Sequence, residues 1–172
     1  MSRARVSAAA LVALACASCG YRAGGKADLL PKTVRTIAVP AFGSATTRYK
    51  LAERLSAAVA REFISRTRYQ IVADPNQADA TLHGAVINYF SYPTVIDPAS
   101  ARASGVQAIV ILQVTLTDRA GTALYARPNF EVRERYEISV DERAYFEESD
   151  AAMERLSRDV ARSIVSAVLE NF

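Results

Sequence analysis

The sequence predicts an α/β (α+β) fold: a two-layer sandwich of two amphipathic helices packed on one face of a mixed four- or five-stranded sheet. Three observations predict it. Two segments, about 47–66 and 149–171, carry apolar residues at helical spacing along a single stripe. Several other runs are rich in β-branched and aromatic residues, and the clearest of them alternate apolar and polar. One such run precedes the first helix and another follows it, the strand–helix–strand order of a parallel crossover. Each helix needs one apolar surface to cover, and a single sheet supplies it.

Taken in order, TVRTIAVPAF (33–42) reads as a strand, with Val34, Ile37 and Val39 apolar and Pro40 marking its end or an edge. Residues 43–47 read as a loop with capping residues. Leu51, Leu55, Ala58, Val59 and Phe63 form the stripe of the first helix, with Arg54, Arg61, Glu62 and Arg66 off it. YQIVAD (69–74) is a short second strand, closed by the turn Asp74-Pro75-Asn76. ATLHGAVINYF (80–90) is a third strand, and residues 91–105, with two prolines, read as a loop. VQAIVILQVTLTD (106–118) is the strongest strand. Val110, Leu112, Val114 and Leu116 face one way, and Gln113, Thr115 and Thr117 the other. The turn at Arg119–Thr122 contains Gly121 and leads into a strand from about 123 to 139, with a kink or bulge expected at Pro128. There Phe130, Val132, Tyr136 and Ile138 share one face, and Glu131, Arg133, Arg135 and Glu137 the other. DERAYFEE reads as a long loop, and Ser149 as the N-cap of the last helix, with Asp150 in its first turn. The last stripe is Met153, Leu156, Val160, Ile164 and Ala167/Val168.

Residues 1–18 read as a lipoprotein signal peptide. MSRAR is a positive n-region, and VSAAALVALA is an apolar run too short to span a bilayer. A small residue before a Cys is the pattern at which such peptides are cleaved and the Cys acylated. Cys19, preceded by Ala17 and Ser18, is the preferred lipidation site, with Cys16 the alternative. Residues 19–32 are then the acylated N-terminus and a Gly-bearing tether, and 33–172 a single domain. Several acyl chains on one residue give firm anchoring, at about 0.8 kcal/mol per buried methylene. The residue at +2 after Cys19 is Tyr21 and not Asp, which under the retention rule of enteric bacteria favours the outer membrane. No Cys occurs beyond residue 19, so the domain relies on its core and not on an internal disulfide.

The composition, 51% hydrophobic and 23% charged, is that of a globular domain and excludes a disordered chain. The formal charge is +3, but Arg3 and Arg5 lie in the signal peptide, and removing these two leaves +1. So small a charge gives no global field for nucleic acid. His83 is the single His, set within a strand, and it reads as a surface or packing residue. Without a Cys or His cluster, no metal or catalytic constellation is expected, and the chain reads as a binding or structural module and not an enzyme. No cofactor is expected beyond the covalent lipid. The charge run Glu131, Arg133, Glu134, Arg135 and Glu137 reads as a solvated face or a contact surface for an anionic partner. Arg greatly outnumbers Lys, and its planar fork suits bidentate phosphate contact.

The order CGYR at the acylation site, LLPKTVRTIAVPAF, a helix ending in EFISRTRYQIV, then ADATLHGAVINY, resembles the LPS-assembly lipoprotein family, LptE. The resemblance covers nearly all of the chain from Cys19 onward. It implies two helices on a mixed sheet, in agreement with the reading above. It also implies an outer-membrane lipoprotein that sits in the lumen of a large LPS-export β-barrel of the LptD type. There it would help the barrel fold, plug it, and bind lipopolysaccharide in passage. A luminal plug needs a hydrophilic exterior without a large apolar patch. Candidate anion contacts, chosen on chemistry, are Arg119 at the hairpin turn, Arg127 near its mate, Arg133 and Arg135. The alternative is a periplasm-facing regulatory lipoprotein of a cell-wall synthase or secretion channel. A synthase activator would need a longer tether, since about 13 residues reach at most about 45 Å.

Cys19→Ser is expected to release the domain from the membrane fraction and Cys16→Ser to leave it anchored; fractionation showing the reverse would assign the lipid to Cys16.

Overall fold

A computed structural model of the 172-residue chain describes residues 30–46, 49–137 and 142–171. The signal peptide, Cys16, Cys19, most of the tether and Ile138 lie outside the described residues. The elements run β1 (Thr36–Ala38), β2 (Gly43–Ser44), α1 (Tyr49–Arg66), β3 (Gln70–Val72), a 3₁₀ turn (Pro75–Gln77), β4 (Ala80–Ile96), β5 (Ala103–Asp118), β6 (Ala123–Glu137) and α2 (Glu142–Leu169). The sheet order is β3-β1-β4-β5-β6, with β2 also paired to β4. β1 is parallel to β3 and β4, whereas β4, β5 and β6 form an antiparallel meander. Both helices pack against this mixed sheet, as the sequence predicts.

The predicted stripes are the core. Leu51, Leu55, Ala58, Val59 and Phe63 of α1 are buried, as are Leu156, Val160, Ile164 and Val168 of α2. They meet Val110, Leu112, Val114 and Leu116 of β5 in one cluster, together with Ile37, Leu82 and Val86. Burying each such side chain contributes about 1.5–3 kcal/mol. Ala161, Val165 and Leu169 widen the stripe of α2 where the two helices touch. Arg61 crosses this helix pair to Glu154 at 3.0 Å, and Arg66 reaches Ser166 at 2.7 Å, both on its exposed side.

Three parts of the chain differ from expectation. The first strand is interrupted: β1 ends at Ala38, and pairing to β4 resumes at β2. Between Ala38 and Gly43 the chain advances five positions while β4, from Thr81 to Ala85, advances four. That one-residue excess, with Pro40 lacking an N–H, breaks the ladder. It also turns Phe42 inward onto Gly84. The expected loop 91–105 is mostly strand. β4 continues to Ile96 and β5 begins at Ala103, so the connection is only 97–102. Among the described residues, β4 beyond Val86 pairs with β5 alone, and Pro93 sits on this edge segment beside a register shift, where a missing donor is tolerated. The segment 142–148, read as loop, is the first part of α2; it contains no Gly or Pro to stop a helix, so Ser149 lies within the helix and does not cap it. The bulge expected at Pro128 is present: two positions of β5, Leu112 to Val114, face three of β6, Phe130 to Arg127.

A Cβ on Gly84 would lie 2.5 Å from the Phe42 ring. Gly84→Ala is therefore expected to lower stability by about 1–3 kcal/mol through overpacking, measured as a shift in the urea midpoint at unchanged slope.

Candidate functional site

The β4–β5–β6 meander extends past the part of β4 that β1 and β2 cover, as a three-stranded arm. Directly opposed residues of an antiparallel ladder share a face. The pairing therefore sets out the outer face, turned away from the helices, in rows across the arm. These are Asn88–Ile111–Glu131, Phe90–Ile109–Arg133 and Tyr92–Gln107–Arg135. An aromatic column on β4 thus runs beside a guanidinium column on β6, roughly 10 Å apart at two strand spacings. Phe90 and Tyr92 are 49% and 46% exposed, and Ile87, Val95 and Ile96 extend the apolar strip along the free edge of β4. Ile87 is the extra residue of a bulge between Val86 and Asn88. Inside the arm, the opposite face remains buried through Val110, Ala108 and Val106.

The exterior is therefore not uniformly hydrophilic, contrary to what a luminal plug led us to expect. Sequence reading missed this strip because Pro93 and Pro98 suggested a loop. The alternation of Phe90 and Tyr92, followed by Val95-Ile96, was the available signal.

The four candidate arginines fall in three places. Arg133 and Arg135 share the outer face of the arm. Arg133 pairs with Glu131, which pushes its guanidinium further toward the charged form. Arg135 is exposed. Arg127 leaves the helix-side face of β6, where it lies 5.4 Å from the Phe130 ring centroid and hydrogen-bonds Tyr125. Burial raises the Tyr125 pKa, and Arg127 opposes that rise. Arg119 is engaged at the hairpin turn. Its Nη2 donates to Asp79 Oδ1 at 3.2 Å and its Nε to the Ala78 carbonyl at 3.2 Å.

Asp79 joins several segments. Its Oδ2 accepts from the Arg35 N–H at 3.0 Å, the Thr36 N–H at 3.1 Å and the Thr36 hydroxyl at 2.9 Å. Its own N–H donates to the Thr36 hydroxyl at 2.8 Å, and its carbonyl accepts from the Arg119 N–H at 3.0 Å. These donors, led by the Arg35 N–H, hold its pKa below the ordinary 3.8. Sequence reading passed over Asp79 because one Asp before a strand carries no pattern.

The charge run on β6 divides. Glu131, Arg133, Arg135 and Glu137 stay exposed, while Glu134 turns toward α2 and is half-buried. Burial, then the charge of Asp159, raises its pKa against the opposing pull of Arg162. His83 is exposed, opposite Thr115 on the outer face. Among the described residues no three His, Cys, Asp or Glu side chains gather in a metal-binding group, and no helix is long and apolar enough to cross a membrane.

Comparison with known proteins decides the family. The lipopolysaccharide-assembly family LptE matches residues 34–168. The chain belongs to the LptE family. Its match spans every element from the start of the sheet to the end of α2, the arm included. Among solved structures, a protein from Xanthomonas campestris is similar at 15% identity, covering 87% of this chain and 89% of that one, with a TM-score of 0.58. PelC from Paraburkholderia phytofirmans, solved as a dodecamer, is similar at 13% identity, covering 84% and 93%, with a TM-score of 0.54. Lipoprotein B from Nitrosomonas europaea is similar at 14% identity, covering 88% and 96%, with a TM-score of 0.50. At these identities the likenesses show the fold alone. No curated protein matches the chain.

Asp79→Asn is expected to destabilise the domain by about 1–2 kcal/mol, since charge-assisted hydrogen bonds to backbone are lost in a partly exposed setting. A double-mutant cycle with Arg119→Ala should show coupling, read from urea midpoints. The sign with pH follows from a lowered carboxyl pKa. The stabilisation is full above pH 3.8 and is lost as pH falls through the lower folded value, and Asp79→Asn should flatten that acid limb.

Proposed function

We propose that this LptE-family chain is an outer-membrane lipoprotein, acylated at Cys19, that assembles with and plugs a large LPS-export β-barrel of the LptD type. In this reading it supports folding of the barrel and delivery of lipopolysaccharide to the outer leaflet, and it catalyses no reaction. The observation that carries the reading is the LptE match across 34–168. The outer face of the arm supplies chemistry suited to it. Lipopolysaccharide is an anionic amphiphile, and a column of Phe90 and Tyr92 beside Arg133 and Arg135 offers apolar contact next to phosphate-binding forks. The apolar strip also has a use inside a barrel, as surface for burial against a partner or for contact with acyl chains.

The test is an affinity pull-down of the C-terminally tagged protein from detergent-solubilised outer membranes, with mass spectrometry of the co-purifying bands. The expected result is a large barrel near one-to-one stoichiometry that survives high salt. A cell-wall synthase or a secretion ring in its place would overturn the reading and establish the regulatory alternative. For the ligand, Arg133→Asp with Arg135→Asp is expected to weaken lipopolysaccharide retention about tenfold or more while thermal unfolding is unchanged. Arg119→Asp with Arg127→Asp tests the hairpin end separately, and unchanged retention there removes that pair from the ligand contacts.

A further inference from the structure

On the opposite edge of the sheet, β3 and the approach to β1 enclose a cleft of about 550 Å³. Arg35, Arg68, Gln70, Gln77 and Asp79 line it, with Tyr69 at its base. Arg35 and Arg68 are exposed, and neither is in an ion pair among the described residues. The one carboxylate in the lining, Asp79, is already committed. Oδ2 takes the Arg35 and Thr36 backbone donors and the Thr36 hydroxyl, and Oδ1 takes Arg119. The cleft therefore presents two guanidinium groups with two side-chain amides between β3 and the 3₁₀ turn, and no carboxylate free to neutralise them. Lys32, also exposed, lies on the turn that leads into β1.

The position of this cleft limits its occupant. The chain enters the domain here: Leu30 is buried, and its N–H donates to the Tyr69 hydroxyl at 2.8 Å. Cys19 is about eleven residues upstream of Leu30, so an acyl anchor there keeps this edge within about 40 Å of the bilayer surface. Such a tether raises the effective concentration of headgroups at the cleft over that at any other part of the domain.

We propose that the Arg35–Arg68 cleft, with Lys32, binds the phosphate of an anionic phospholipid headgroup in the leaflet that holds the anchor, and so orients the domain on its membrane. Guanidinium forks recognise phosphate bidentately, and the Gln70 amide adds a neutral donor, whereas the Gln77 amide is already directed to Asp74 Oδ2 at 3.3 Å. This site is separate from the outer face of the arm, which lies at the other edge of the sheet. The proposal rests on the anchored reading for its choice of occupant, and the experiment keeps the two apart.

The mature chain carrying Cys19→Ser, whose core lies within residues 30–171, is sedimented with two kinds of vesicle. One is phosphatidylcholine alone, and the other contains about a third phosphatidylglycerol. Binding is expected only to the second, falling as salt is raised. Arg35→Gln with Arg68→Gln is expected to weaken it about thirty-fold, two basic contacts at an anionic surface. Arg158→Gln with Arg162→Gln, the same loss of charge from exposed positions on α2, is expected to leave it near the unsubstituted value. Circular dichroism and thermal unfolding report whether each variant is folded. Equal sedimentation with neutral vesicles, equal loss in both double variants, or saturable binding of inorganic phosphate to the cleft with no vesicle binding would each overturn the proposal. So would binding to lipopolysaccharide micelles that is lost in Arg35→Gln/Arg68→Gln while phosphatidylglycerol binding is not. Mass spectrometry of the native N-terminus reports on the anchor alone. An unacylated Cys19 refutes the anchor whatever the vesicles show, and an acylated one leaves the vesicle result to decide the cleft.

Discussion

Three distant stretches of chain meet at Asp79, and this junction ties β1, β4 and the β5–β6 turn together at one end of the sheet. The strand β1 is three residues long and would not hold a place between β3 and β4 on its own ladder bonds. Asp79 accepts both N–H groups at its entrance and receives the Arg119 fork from the β5–β6 turn. One side chain thus sets the start of β1, the start of β4 and the position of the hairpin. Hydrogen bonds to an ionised acceptor are stronger than neutral ones, which suits a junction with little apolar surface of its own. The buried face then follows, with Ile37 beside Ala80 and Leu82 beside Leu116, all four buried.

That junction divides the sheet into two parts with different environments. Near it, β4 has strands on both sides; beyond Val86 it has one. The inner face of β5 is buried from Val106 to Leu116, whereas among the described residues no strand pairs with the edge of β4 beyond Val86, and Phe90 and Tyr92 of the outer face stay exposed. Among the described residues, five of the six large exposed hydrophobics, Ile87 to Ile96, fall on this one segment. The sixth, Ile64, is on α1. Concentration on one segment, with guanidinium groups two strands away, makes a contiguous patch and not scattered surface apolarity.

The arginines show how far side-chain chemistry alone can mislead. All have the same fork, yet Arg119 is occupied in holding the hairpin, Arg127 lies against Phe130 and Tyr125, and Arg133 and Arg135 stand on an open face. Arg35 and Arg68 carry no distinguishing neighbours in the sequence, but the parallel pairing of β1 with β3 brings them to one cleft. Charge on the chain is nearly balanced, and its usefulness comes from where pairing leaves it unneutralised.

Much of this was legible in the chain itself. The helix stripes, the alternation of β5 and the bulge at Pro128 are local patterns, set by the 3.6 and 2.0 residue periods and by the missing donor of proline. Cys19 and its flanks, and the order of segments that resembles LptE, are likewise linear features. The strand beyond residue 90 and the break between β1 and β2 were hidden by prolines whose tolerance depends on a neighbour, whereas the early start of α2 was open to reading from a segment without Gly or Pro. Pro93 is tolerated only because its strand lies at an edge, and Phe42 turns inward only because Gly84 leaves room for its ring. The candidate sites belong to the same group. By itself the sequence determined the fold class, the core stripes and the family. Only the tertiary structure decided which arginines are engaged within the fold and which stay exposed, because ion pairing and exposure depend on strand register, and register brings together residues far apart in the chain.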